Sequence, residues 1–258
     1  MSDGHGLQRW RGKVAVVTGA SSGIGKAIAT MFGEAGMHLV LTARRADRLE
    51  SLAASIVANN PDAQILCHPA DARDPRAIEA LFVALRERFG GADVLVNNAG
   101  LGRNAPLLTG ATGHWREMLE VNVLALCVAT REAVSDMRSR GDDGHVIHVS
   151  SMSAYRTPAG SGVYSATKHA VRALTEGLRA ELRDADSGIR VTAISPGFVE
   201  TEFASVYHDG DPHKVAETYG KYPVLQPTDI AESVAFVLGA PPHMAVHDVL
   251  LRPTQQPN

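Results

Sequence analysis

Cysteine is scarce in this chain: only Cys67 and Cys127 occur among 258 residues, each inside an apolar segment. A fold stapled by disulfides needs more, so the two read as buried free thiols of a reducing compartment. No apolar run approaches the ~20 residues that a membrane span requires. The opening stretch, MSDGHGLQRWRGK, lacks the apolar region of a secretory signal. The formal net charge is only −3, and the longest basic run is Arg44–Arg45. That balance argues against a nucleic-acid backbone or an anionic lipid surface as partner. Repeats and low-complexity tracts are absent as well. The expectation is a soluble, cytoplasmic protein with no membrane span and no nucleic-acid partner.

What the chain does have is alternation. VAVVT (Val14–Thr18), HLVLTARR, QILCHPAD, DVLVNNAG, HVIHVS and RVTAISPG are short, β-branched runs. Such runs suit strands covered on both faces. Between them lie helical patterns, among them a long one from about Thr112 to Arg140 and another over Gly162–Asp184. A further helix is expected at Thr228–Leu238 and a last strand near His247–Leu251. Strands and helices in turn predict an α/β fold: one Rossmann-type, doubly wound parallel sheet with helices on both faces. Residues 11–251 read as a single dinucleotide-binding catalytic domain, with 1–10 and 252–258 as tails.

Ligands of such sheets bind beyond the carboxyl ends of the strands. There the turn GASSGIG carries Gly19, Ser21, Ser22, Gly23, Ile24 and Gly25, and opens the first helix. Glycines let backbone approach a pyrophosphate, and a helix N-terminus offers unpaired N–H groups. An NAD site commonly places a carboxylate about twenty residues on. Here that place holds Arg44 and Arg45, and no acid arrives before Asp47. An arginine fork suits a 2′-phosphate, so NADP(H) is the expected cofactor. Asp71, after the third strand, is placed to bond an adenine amino group or else to cap a turn.

Tyr164 and Lys168 stand four residues apart, on one face of the expected helix. A nearby ammonium favours phenolate, which predicts a depressed tyrosine pKa and a proton-trading group. An isolated pair of this kind is usually a surface contact. Ser151 follows a strand thirteen positions upstream, where its hydroxyl can steady the oxygen that Tyr164 protonates. Asn122, in the apolar stretch EVNVLALCVA, needs a partner if buried. His243 and His247 have metal-ligand spacing but no evident third ligand, and no metal is expected.

TGASSGIG, NNAG (Asn97–Gly100), Ser151, Tyr164-x-x-x-Lys168 and PGFVET (Pro196–Thr201), in that order, resemble the short-chain dehydrogenase/reductase family. VYSATKHAV, ALTEGLRAELR, ISPGFVETEFA and the ending LLRPTQQ are similar to a cytosolic NADP-dependent subgroup of it. That subgroup includes vertebrate ketosteroid-reducing enzymes and insect farnesol dehydrogenases. The resemblance implies that Tyr164 is the acid/base and that Ser151 orients the substrate oxygen. It implies that Lys168 holds the nicotinamide ribose and that Asn122 fixes a water beside Lys168. Asn98, Pro196, Gly197, Val199 and Thr201 would lie along the cofactor. A homodimer or homotetramer is also implied, although the usual Gly-Gly ending of many relatives is missing.

The segment Phe198–Gln226 carries Phe203, Val206, Tyr207, Tyr219, Tyr222 and Val224 among glycines and prolines, with few cations. It reads as a substrate lid, with Met152 as an adaptable wall. The expected activity is hydride transfer between NADP(H) and an uncharged apolar carbonyl or alcohol, such as a steroid, terpenoid or aromatic ketone. The alternatives are a 3-ketoacyl thioester reductase, a farnesol-type dehydrogenase, and a non-catalytic NADP-sensing protein.

Overall fold

The computed structural model describes residues 4–257. The expected strands form and all pair in parallel: β1 (Val14–Thr18), β2 (His38–Thr42), β3 (Ile65–Cys67), β4 (Val94–Asn97), β5 (His145–Val149), β6 (Arg190–Pro196) and β7 (Asp248–Leu251). Their order across the sheet is β3-β2-β1-β4-β5-β6-β7. The chain thus leaves β1 in one direction, then returns to build β4 on its other side. Val16 lies level with Val40 on one neighbour and Leu95 on the other.

Alternate side chains of each strand enter opposite faces. Ala15, Val17, Leu39 and Leu41 join a core with α1 (Gly23–Glu34), α2 (Ala46–Asn59) and α9 (Pro227–Gly239). Val14, Val16, Val40 and Leu95 join another with α3 (Pro75–Phe89), α5 (Ala125–Ser139) and α6 (Gly162–Asp184). Local signals fix where helices begin and end. Asp74 accepts the Arg76 N–H at 2.9 Å ahead of Pro75, and α3 stops at Gly90 in a left-handed conformation. Asp229 takes the N–H of Gln226 at 2.7 Å where α9 starts.

Three departures from the expected pattern matter for the site. Strands β2 and β3 are short, so Arg44, Arg45 and Asp71 stand on loops past the sheet edge. The long helix divides into α4 (Thr112–Leu119), a π-helical turn at Glu120–Leu124 and α5. The lid holds two short helices, α7 (Phe203–Tyr207) and α8 (Pro212–Tyr219).

The described residues of the segments expected as tails include packed ones. Gly4–Trp10 forms a 3₁₀ turn against α9, with Leu7 and Trp10 buried and the indole N–H donating to Leu238 O at 2.9 Å. No helix of the described residues is long and apolar enough to cross a membrane. Cys67 and Cys127 are free, and half-buried rather than fully enclosed.

Candidate active site

The two halves of the sheet meet at a crevice beyond β1 and β4. Thr18 Oγ1 accepts the N–H groups of Asn98 and Ala99 at 3.0 and 2.9 Å. The Asn98 amide returns bonds to the carbonyls of Thr18 at 2.9 Å and Gly19 at 3.2 Å. Asn98 therefore pins the glycine turn to the neighbouring strand. Gly19 (φ +67) and Gly23 (φ +54) adopt left-handed conformations that disfavour any side chain. Gly25 is tighter still: a Cβ there would lie 2.5 Å from both the Asn98 amide nitrogen and Gly19 O. Backbone cannot yield at that distance. Gly25→Ala is expected to lower dinucleotide affinity by ~10-fold or more. A fluorescence titration beside a thermal melt measures it; unchanged affinity would remove Gly25 from the turn's design.

A cavity of about 800 Å³ runs from this turn across the carboxyl ends of the strands. Gly19, Ser21, Ser22, Gly23, Ile24, Arg44, Arg45, Asp71 and Asn98 line it, as do Ser151, Tyr164, Lys168, Pro196, Gly197, Val199 and Thr201. Asn122 and Gly25 support it from behind. At one end Arg45 gives hydrogen bonds to Ser21 Oγ at 3.0 Å and Ser22 Oγ at 2.9 Å. Asp71 is less free than its sequence position implied. Arg73 holds it through several bonds, the shortest 2.6 Å, and this pairing keeps its carboxyl below the usual range.

Toward the other end Ser151, Tyr164 and Lys168 converge. Ser151 Oγ accepts the Ser153 N–H at 3.0 Å, which fixes its rotamer, and the hydroxyl also bonds Tyr164. Lys168 is 6% exposed, donates to Val149 O at 3.0 Å and lies 5.9 Å from the Tyr164 ring centroid. The expected depression of the tyrosine pKa is not found. Burial pushes the phenol up to about 12, and the Ser151 hydrogen bond offsets only part of that. Burial likewise pushes Lys168 down, to about 8. Desolvation is the largest cause of both shifts. Tyr164 is therefore a protonated acid at neutral pH.

Asn122 sits in the π-helical turn, 2% exposed. Its carbonyl oxygen accepts Leu101 N–H at 2.9 Å, and its amide donates to Leu101 O at 2.8 Å and Thr167 Oγ1 at 3.0 Å. A Cβ on Gly100 would touch both Asn122 Oδ1 at 3.4 Å and Lys168 Nζ at 3.6 Å. The π turn thus brings a buried amide beside the lysine, a common use of such turns.

The lid closes on this group. Phe203 packs on Tyr164 with ring centroids 5.3 Å apart, and Tyr207 stacks on Phe203 at 6.1 Å. Arg103 clamps the lid from the body, donating to Val206 O and Asp209 at 3.2 Å each while bound to Glu117 at 3.0 Å. Thr201 forms the lid's root, its methyl against Gly23 and its carbonyl accepting Tyr219 OH at 3.1 Å. The lid is richer in cations than an apolar reading supposes: Lys221 lines the cavity beside the tyrosines, paired with Glu217 at 3.2 Å.

Several residues of the site carry no sequence signal. Gln256, near the chain's end, is 6% exposed and lines the cavity; its side chain accepts Phe198 N–H at 3.0 Å and donates to Met152 Sδ at 3.5 Å. Nothing in its surroundings in the sequence points there. Beneath the site, Asn97, Thr130, His148 and Thr175 form a buried chain with contacts of 2.9, 3.2 and 2.8 Å. Thr175 donates to Val171 O, so His148 Nδ1 carries the proton and Nε2 accepts from Thr130. Burial lowers the His148 pKa to about 3, so the ring is neutral and ties β4, β5, α5 and α6 together. A histidine in an apolar strand gave the only hint of it.

Known proteins resemble this chain in sequence and in fold. Residues 13–211 match the family model described as short chain dehydrogenase. A Bos taurus protein named dehydrogenase/reductase SDR family member 11 is 47% identical over 97% of this chain and 99% of its own length. Farnesol dehydrogenase of Aedes aegypti is 42% identical, covering 96% and 98%. A solved structure of serine dehydrogenase complexed with NADP+ superposes with a TM-score of 0.88 at 33% identity, over 95% of this chain and 96% of that one. A glycine turn at the reversal of strand order, a serine and a tyrosine facing one cavity, and a lysine one turn along the same helix accord with these likenesses. This chain is an oxidoreductase and belongs to the short-chain dehydrogenase family.

Proposed function

We propose that the protein transfers a hydride between NADP(H) and the carbonyl or alcohol carbon of an uncharged, largely apolar substrate. The observation that carries this is the convergence of Ser151, Tyr164 and Lys168 on a cavity whose far end holds the glycine turn, Arg44 and Arg45. The residues fit such a cofactor. Gly19 and Gly23 add no side chain at two positions of the turn before the N-terminus of α1, and two cations flank its rim. The dinucleotide, when bound, supplies the hydride.

The protein supplies the rest. Ser151 presents a hydroxyl of fixed rotamer to the substrate oxygen. Tyr164, protonated at neutral pH, gives its proton to that oxygen as the carbonyl is reduced. Lys168, with Asn122 behind it, provides the buried positive charge that steadies oxygen during the transfer. Phe203, Tyr207, Met152 and Phe198 surround the reacting position and favour an apolar body. The cations of this region have partners: Arg103 with Glu117, Lys221 with Glu217, Arg156 with Pro257 O at 3.2 Å. That pairing disfavours a charged substrate. We place the catalytic domain at residues 11–251, with 198–226 as its lid.

The test is kcat/KM across bulky apolar ketones, allylic alcohols and acetoacetyl thioesters, with NADPH and with NADH. Preference for the apolar compounds with NADPH is expected. A clear preference for the thioesters would make the protein a ketoacyl reductase. Arg44→Ala is expected to raise the NADPH dissociation constant ~10–100-fold and to leave NADH nearly unchanged, the scale of a charge-assisted hydrogen bond. Equal use of both cofactors by the wild type would refute the assignment of NADP.

A further inference from the structure

The arginine end of the cavity already contains an acid. Glu202 stands at the lid's root, immediately before α7, and lines the cavity. Its carboxylate accepts Arg45 NH1 at 2.8 Å and Arg48 NH1 at 2.5 Å. Burial raises its pKa, but the bonds from Arg48 and Arg45 outweigh that and hold the carboxyl below its ordinary range. Arg45 is almost fully engaged. Its Nε and NH2 reach Ser21 Oγ at 3.3 and 3.0 Å, NH2 also reaches Ser22 Oγ at 2.9 Å, and NH1 is given to Glu202. Of five guanidinium N–H groups, that leaves one. Arg44 lines the same end of the cavity and forms no ion pair among the described residues.

We propose that Glu202 is a resident anion that competes with the cofactor's 2′-phosphate for Arg45, and so limits the preference for NADPH over NADH. The inference rests on the NADP reading above. A phosphate monoester carries roughly −1.5 to −2 charge at neutral pH, so a carboxylate on the same arginine repels it. NADH brings only a hydroxyl to that position and is little affected. Removing the charge while keeping the size of Glu202 therefore strengthens NADPH binding. A strap that merely holds Arg45 in place predicts the opposite sign, since loosening it would weaken the phosphate contact.

The experiment is a fluorescence titration of NADPH and NADH into the wild type, Glu202→Gln, Glu202→Ala and Arg44→Ala, at low and high salt, beside thermal melts. Both Glu202 variants are expected to bind NADPH ~3–10-fold more tightly, with NADH within ~2-fold and the gain shrinking at high salt. Glutamine and alanine differ in the hydrogen bonds they keep, so a gain in both isolates charge as the cause. If the wild type prefers NADPH but neither variant binds it more tightly, Glu202 is a structural strap and the inference falls alone. If the wild type has no preference for NADPH and Arg44→Ala changes neither cofactor, the NADP reading falls and takes this inference with it.

Discussion

Replacing Tyr164 by phenylalanine lowers turnover by ~10²–10⁴-fold and leaves NADPH affinity within a few-fold of the wild type. The expected size follows from what is removed. Phenylalanine keeps the ring that Phe203 packs against at 5.3 Å, so the lid retains its seat. Only the hydroxyl goes, and with it the proton that reaches the substrate oxygen. Ser151, Lys168 and the cofactor cradle remain, and they set the residual rate. Steady-state kinetics with a reactive ketone, beside cofactor titration, measures both quantities. Retained turnover in this variant would end the mechanism; a large loss of NADPH binding would show that the phenol holds the cofactor more than the substrate.

Lys168→Met is expected to reduce turnover on a similar scale and at the same time to make the protein more stable. The second effect comes from the burial of the ammonium. Lowering the lysine pKa from 10.5 to about 8 corresponds to ~3 kcal/mol of destabilisation at pH 7. Methionine avoids it, but leaves Val149 O without its donor at a cost of about 1–3 kcal/mol. A net gain of ~1 kcal/mol raises Tm by ~2–4 °C in a chain of this size. Folded Lys168 holds its proton less tightly than the unfolded chain does, so protonation favours unfolding. The penalty is complete below about pH 8 and fades as pH rises toward 10.5. Melts of both proteins at pH 7 and pH 10 should show the advantage of methionine shrinking at the higher pH. A destabilised variant with no such pH dependence would mean that the hydrogen bond to Val149, not the charge, dominates at this position.

The fold was readable because its signals are local and repeated. Val14–Thr18, His145–Val149 and Gly162–Asp184 lie where the pattern of apolar residues puts them, since strands buried on both faces need unbroken apolar runs. The glycine turn and the Ser151, Tyr164 and Lys168 spacing were legible for the same reason: each depends on one turn or one helical face. The sign of the Tyr164 pKa was not. It depends on how much protein surrounds the phenol, and Phe203 and Tyr207 come from forty residues away. Glu202 escaped notice because its role is a pairing with Arg45 and Arg48, 157 and 154 positions earlier. Gln256 shows the same limit: Met152 and Phe198, its partners, are 104 and 58 residues distant.

The seat of α9 has a consequence for how the molecule is made. Synthesis delivers the chain from its N-terminus at ~5–20 residues per second. Leu7 and Trp10 emerge early, yet the helix they pack against, with Ile230, Val234 and Leu238, follows more than 200 residues later. For roughly 10–40 s on the ribosome, α1 and α2 can already sit on that side of the sheet, but the apolar surface reserved for α9 has no cover. During that interval the exposed apolar surface is open to other nascent chains or to a chaperone. Slowing synthesis lengthens this exposure, so yield of soluble protein should depend on chaperone supply more than on the stability of the finished fold.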